Sequence, residues 1–401
     1  MIDRFAAHLS RGLNGFKAER PAREWCAPAW LAALGKYLDY LHDRYDAFPV
    51  RDEHTRAAAM QVLDEVRRKE LNRVHGRSAL ESAAFVDADV RYELYAVKDT
   101  KTGKVVGCIR VTTADQIASI AASREEYCLH KFPPALLART QVFTRLAILS
   151  EYRKTAASLV LLRRLLKDAL AANMQASLLA CEPGLYPSYL RLGIRPLGSL
   201  HQSPSGGFRI PMVALLHDVE HLRRVHSPLR GLVVGVKGAL PQEAMHWYQE
   251  LEARDGPIDP GVTFHSGDSA AGAHAALTRG LTAAGRRELL RNAMEVQCRA
   301  GDIIISAGDG GKCMGLVLRG SVKVEQEGRP AATLERGELF GDTAVVTKRN
   351  QTANIVAVGD ETRVLILSQS CLGRLRDSAD LAQVWRNLAQ IIAGRQYRDV
   401  Q

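Results

Sequence analysis

Between Cys298 and Ser368 the sequence is cut into short apolar runs by glycines too closely spaced for helices: CRAGDIIISAGDGGKCMGLVLRGSVKVE, then RGELFGDTAVVTKRNQTANIVAVGDETRVLILS. Brief runs rich in Ile, Val and Leu, bounded by Gly-Asp or Arg-Gly, form strands. Tight connections between them need residues at positive φ, which glycine adopts without a steric penalty. Gly301-Asp302, Gly308-Asp309 and Arg319-Gly320 stand where such turns fall. This pattern restricts the segment to a small roll of antiparallel strands. A helical pair in HAALTRGLTAAGRRELLRNA precedes it, and one helix within LGRLRDSADLAQVWRNLAQIIAG closes it.

These strings resemble the cyclic nucleotide-binding domain family from Ala275 to the end of the sequence. The resemblance implies a turn and short helix whose backbone N–H groups hold a cyclic phosphate. It also implies a Glu after Phe-Gly for the ribose hydroxyl and an Arg paired with the phosphate. The corresponding pocket here is Gly341, Asp342, Thr343, Arg349, Gln351 and Thr352. Asp342 stands at the Glu position, one methylene shorter, and Gln351 stands where the Arg would fall. Arg349 lies two residues earlier, on the same face of an extended strand. Gln351 forgoes the charge-assisted bidentate pair. The expectation is an accessory module of degenerate pocket, serving docking or homodimer formation, with cyclic AMP or cyclic GMP open as ligands.

At 401 residues the chain exceeds what one hydrophobic core usually supports. Upstream of the roll, apolar residues at three- and four-residue spacing predict helices between Trp30 and Arg73. YELYAVKD and VVGCIRVTT around Thr102-Gly103 predict a hairpin. There follow a strand TQVFTRLAIL, a long amphipathic helix after Ser150, a strand SLLACE, a short helix SYLRLG stopped by Gly193, and a strand GFRIPMVALL. GPIDPGVTFHSGDSAAG is rich in small residues, Gly and Pro, the composition of a linker. The predicted organisation is 1–225 for a first domain with N-terminal helices, 226–274 for a helical connector and linker, and 275–401 for the roll. The fold class is α+β: a mixed sheet with flanking helices, then a β-roll.

GKVVGCIRVTT, the acidic FVDADVRYELYAV before it and FTRLAI after it resemble the GNAT acyltransferase superfamily over about Glu65 to Leu216, in the branch of the acyl-homoserine-lactone and N-acyl amino acid synthases. The resemblance implies transfer of a fatty acyl group from acyl carrier protein or acyl-CoA to an amine such as an amino acid. Arg110, Phe143, Arg145 and Leu146 become the acceptor and acyl pocket. Arg153, Lys154, Ala156 and Ser158 become the contacts to the donor's phosphopantetheine. In Ala156 and Ser158 the chain departs from the glycines of a pyrophosphate loop, which suits a carrier protein bearing one phosphate. Tyr189, four residues before Gly193, is the expected acid at the thioester sulfur, with Tyr186 as fallback. Asp87 and Asp89 are the expected base and partners of Arg110; His75 and Glu151 are reserves. Two other readings stay open: a cyclic-nucleotide-regulated protein-lysine acetyltransferase using acetyl-CoA, and a non-enzymatic interaction protein of two degenerate folds.

The excess of 54 Lys and Arg over 44 Asp and Glu gives a formal charge of +10, which favours anionic partners such as an acidic acyl carrier protein. No aromatic-interleaved basic ladder points to nucleic acid. Seven cysteines without CxxC pairing fit reduced thiols in a cytoplasm, and neither a metal site nor a membrane span is expected.

Overall fold

A computed structural model describes residues 44–70, 90–153, 155–203, 207–234, 242–258, 262–264, 275–290, 293–307, 313–326, 329–347, 351–372 and 375–398. The predicted helix over 30–45 lies outside these residues as far as 43 and ends in a strand at Tyr45; the candidates His75, Asp87, Asp89, Lys154 and Arg349 also lie outside them. The chain divides into two compact units. The first takes in residues up to Val66, Tyr92–Thr112 and Phe143–Ala172; the second holds Arg67–Arg91, Thr113–Val142 and everything from Asn173 onward.

In the first unit, β1 (Tyr45–Pro49), β2 (Glu93–Asp99), β3 (Val105–Thr113) and β4 (Thr140–Ile148, from Phe143) are successive neighbours. The hairpin at Thr102-Gly103 forms as its sequence predicts. Gly103 adopts φ 69°, its N–H donates to Asp99 O at 2.8 Å, and the fully buried Asp99 carboxylate accepts from Arg44 at 2.7 Å. β1 is a strand where the helical reading of the chain's start had none. YDAFP alternates buried and half-buried positions and ends on a proline, as edge strands tolerate. Gly107 in β3 is required by packing, since a Cβ there would lie 2.3 Å from Ile148 Cδ1. The 18-residue helix α1 (Glu53–Glu70) falls mostly in this unit, and Cys108 Sγ donates to Ala59 O at 3.3 Å.

α2 (Ala157–Ala171) is built from Leu, Ala and Arg, strong helix formers, with Ala157, Val160, Leu161, Leu165, Leu166 and Ala169 on its buried face. It ends where Asn173 turns left-handed at φ 57°, a conformation Asn tolerates better than most residues.

In the second unit, the first three residues of β4 pair in parallel with β5 (Ala176–Cys181), and β5 pairs antiparallel with β8 (Phe208–Leu215). The two-residue strands β6 (Arg195–Pro196) and β7 (His201–Gln202) also lie against β8. α3 (Tyr186–Leu192) follows β5. Within the expected connector, α4 (Glu243–Asp255) is a core element rather than a tether. Trp247 stacks on Phe132 with centroids 4.1 Å apart and donates to Lys131 O at 2.9 Å, while Tyr248 donates to Pro196 O at 3.0 Å. Glu243 accepts from Arg139 and Gln175 at 2.8 and 2.6 Å.

The roll follows the sequence pattern closely. β9 (Val262–Phe264), drawn from the Gly- and Pro-rich stretch, is an edge strand on β10 (Met294–Cys298). α5 (Ala283–Leu290) precedes β10, and β11 (Ile303–Ile305), β12 (Cys313–Arg319), β13 (Val322–Gln326), β14 (Arg329–Leu334) and β15 (Leu339–Phe340) follow. α6 (Asp342–Thr347), β16 (Asn354–Ala357), β17 (Thr362–Ser368) and α7 (Ser378–Arg398) complete it. One sheet runs β15-β12-β17-β10-β9, the other β11-β16-β13-β14. α7 is tied to the helices before the roll. Asp380 accepts from Thr282 N and Oγ1 at 2.8 and 2.6 Å, and Asn387 Nδ2 donates to the carbonyls of Leu277 and Arg279, each at 2.8 Å. Among the described residues no helix is long and apolar enough to cross a membrane, and no cluster of His, Cys, Asp or Glu could hold a metal ion.

Candidate functional site

The β4–β5 ladder consists of three pairs, Thr140 with Ala176, Gln141 with Ser177 and Val142 with Leu178. β5 continues for three more residues, Leu179 to Cys181, whose ladder partners Met212, Pro211 and Ile210 all lie on β8. Gln141 is buried and donates to Ser177 Oγ at 2.7 Å, a satisfied cross-strand pair.

β5 ends at Cys181, and Glu182-Pro183-Gly184-Leu185 leads through a single 3-10 turn into α3. Pro187 suits the first turn of that helix. Gly193 stops it at φ 88°, and a Cβ there would also lie 2.5 Å from Leu222 Cδ2. Tyr189 sits in the body of this helix. Burial, and then the neighbouring Cys181 and Glu182, raise its phenol well above the ordinary range, so it stays protonated at neutral pH. Tyr186, the fallback, is buried in the core. Sequence reading took Glu182 as the last letter of a strand. Its effect on Tyr189 becomes visible only once the turn folds it back beside the helix.

In the first unit, Arg110 is buried and its guanidinium lies over the Tyr92 ring, 4.3 Å from the centroid. This cation–π contact lowers the cost of placing a charge inside a strand. Arg145 adopts φ 54° inside β4. A left-handed non-glycine residue costs roughly 1–2 kcal/mol, and it breaks the strand's alternation. Phe143 and Ala147 are buried while Leu146 points outward, 49% exposed. The Arg153 guanidinium is turned back to donate from Nε to Ile148 O at 2.9 Å. Ala156 precedes the first turn of α2, and Thr155 Oγ1 accepts from Ala157 N at 3.3 Å. Val160 N donates to the carbonyl of Ala156 at 2.9 Å, and the opening N–H groups of a helix have no partner within it.

In the roll, Gly341 turns left-handed at φ 68° between Phe340 and α6. Asp342 is 3% exposed, and its Oδ1 accepts from Thr343 N at 3.1 Å. Gln351 is 5% exposed, and its Nε2 donates to Cys313 O at 2.8 Å. A Cβ on Gly341 would lie 3.0 Å from Gln351 Nε2 and 3.1 Å from Cys313 O. The amide at the expected Arg position is thus folded into the pocket wall as a backbone partner. Thr352 beside it is exposed.

Residues 61–163 match the family model of the acetyltransferase (GNAT) domain, and residues 295–379 match that of the cyclic nucleotide-binding domain. The chain joins a GNAT domain to a cyclic nucleotide-binding domain. Arg110, Phe143, Arg145, Leu146 and the 153–158 turn fall inside the GNAT match, whereas Tyr189 lies beyond it. The cGMP-dependent protein kinase isozyme 1 of Drosophila melanogaster is 34% identical over 83 residues, 19% of this chain and 11% of the kinase, so the chain spans about a tenth of that relative's length. Among solved structures, FeeM, an N-acyl amino acid synthase from uncultured soil microbes, is 14% identical; 45% of this chain and 96% of that one are covered, at a TM-score of 0.34. The catabolite activator protein of Thermus thermophilus is 28% identical over 31% of this chain and 59% of that one, at a TM-score of 0.28.

Proposed function

We propose that the chain is an N-acyltransferase that moves a fatty acyl group from acyl carrier protein, or from acyl-CoA, to an amine such as an amino acid. The observation that carries this reading is the three-pair ladder. It leaves Leu179–Cys181 on the edge of β5 away from β8 as backbone for a pantetheine arm, directly before the turn to Tyr189. For the donor's phosphate the resemblance implies Arg153, Lys154, Ala156 and Ser158, a turn leading into a helix start whose N–H groups suit an anion. Arg110, Phe143, Arg145 and Leu146 serve the acceptor and acyl group. The basic surface suits an acidic carrier protein.

The amine nitrogen attacks the thioester carbonyl, the C–N bond forms as C–S breaks, and the departing sulfur takes a hydrogen bond from the Tyr189 hydroxyl. The ammonium proton leaves to Asp87 or Asp89. We assign 1–225 together with α4 to this module, because α4 is packed into its core.

Lipid extracts of cells overproducing the chain should contain an acylated amine absent from cells overproducing Tyr189→Phe, detected by mass spectrometry. The absence of any such species overturns the reading.

For the second module we propose a supporting role with a pocket unsuited to a cyclic phosphate, since Gln351 spends its amide on Cys313 O. Calorimetry of the full chain against cyclic AMP and cyclic GMP should give no heat of binding at millimolar ligand. A micromolar isotherm for either refutes this. A homodimer through the module would use α7, where Trp385 is exposed in line with Ala382, Ala389 and Ile392 at three- and four-residue spacing.

A further inference from the structure

Within the second unit, the turn that carries Tyr189 meets the roll. Gly184, in the middle of that turn, has its Cα against Cys313 at the start of β12. A Cβ on Gly184 would lie 3.0 Å from Cys313 Cβ and 3.3 Å from its Sγ. Around this point Pro183 and Phe208 line a cleft whose other side is Val296, Ile304, Ile305 and Ile366 of the roll. A second tie lies nearby, where Gln202 Nε2 donates to Ile303 O at 3.0 Å.

Both sides of the contact are stiff. Cys313 is buried, pairs across the ladder with Ser368, and has its carbonyl held by Gln351. On the other side Pro183 and Pro187 restrict the backbone. Leu185 N donates to Glu182 O at 2.9 Å, and the 3-10 turn passes into α3 without an intervening residue. A displacement at Gly184 has no loop in which to dissipate before it reaches Tyr189, five residues on.

We propose that β12 of the cyclic nucleotide-binding domain is a positioning element for the GNAT domain: the Gly184–Cys313 contact, held from behind by Gln351, sets where the Tyr189 hydroxyl sits. This rests on the reading that Tyr189 serves acyl transfer. Misplacing a catalytic group by about 1 Å is enough to cost roughly 10²-fold in rate, so a close contact far from the reacting atoms has leverage.

The test uses the full chain as Gly184→Ala, Cys313→Gly and the two combined. Two quantities are read: amide exchange over Tyr186–Leu192, and thiol release, with free amino acids, from a medium-chain acyl group carried on acyl carrier protein and on CoA. Gly184→Ala alone should speed exchange in α3 by about tenfold, through local overpacking. It should also lower kcat by about tenfold with KM little changed, the signature of lost transition-state positioning. Removing the Cys313 side chain in the same molecule reopens the space, and both quantities should return to those of Cys313→Gly alone. Unchanged exchange in Gly184→Ala, or a loss that persists in the double variant, overturns the proposal. If the unaltered chain releases no thiol, the acyl-transfer reading fails by itself, and the exchange pattern still decides whether β12 positions α3.

Discussion

Replacing Tyr189 by Phe will lower kcat/KM for acyl transfer by roughly 10²-fold, the ordinary contribution of one well-placed proton or hydrogen-bond donor. The substitution removes a single oxygen from a half-buried ring, so the packing of α3 is retained and the loss belongs to the O–H group. Burial and the nearby Cys181 and Glu182 hold the phenol far above its usual pKa. A departing thiol, whose pKa is near 8.5, is a weaker base than this phenolate, so complete proton transfer from Tyr189 runs uphill. The hydroxyl therefore acts by donating a hydrogen bond to the sulfur as charge develops on it. A raised pKa keeps the donor protonated through the alkaline range, so kcat/KM should show no limb from loss of the phenol proton below about pH 10. Retention of activity within twofold in the Phe variant, or a loss of activity that begins near pH 8 and disappears in that variant, would remove Tyr189 from the mechanism.

The parts of this fold that the sequence announced are those where local chemistry and tertiary packing agree. Gly103, Gly193, Gly301, Gly320 and Gly341 all stand at positive φ, and each punctuates an apolar run in the sequence. The two-residue strands β6 and β7 carry too few residues to show any period. α4 was placed in a connector because Gly and Pro stretches flank it; Trp247 and Tyr248 bury it in the core through partners more than fifty residues away, which no local window contains. The candidate site divides in the same way. The helix that carries Tyr189 was legible from its stop at Gly193, and the amide at position 351 from the sequence itself. The partner that Gln351 chose, the carbonyl of Cys313, depends on strand register across the roll and had no local signal. Gly184 was hidden for the same reason, because its neighbour lies 129 positions along the chain.

Gly315→Ala should destabilise the roll by about 1–3 kcal/mol, the usual cost of forcing an extra carbon into a filled core. Gly315 lies inside β12 opposite Phe340 of β15, and the Phe340 ring covers the strand where a side chain would emerge. A Cβ on Gly315 would sit 2.0 Å from Phe340 Cζ and 2.1 Å from Cε2, separations that no rotamer adjustment of a fully buried ring can absorb. Glycine in a strand interior generally weakens it; here it is what allows Phe340 to close over the sheet. The control is Gly359→Ala, at a half-exposed turn where a Cβ would meet only Thr362 Oγ1 at 3.9 Å, and this change should stay within about 0.5 kcal/mol of the unaltered chain. Urea unfolding monitored over the roll separates the two, and Phe340→Leu in the Gly315→Ala background should recover part of the loss. Equal midpoints for the two glycine variants would show that the ring moves aside freely. The consequence reaches beyond stability, because Phe340 directly precedes Gly341 and β12 begins at Cys313. A ring displaced by one methyl group therefore loosens together the turn of the pocket, the carbonyl that Gln351 holds and the strand against which Gly184 is packed.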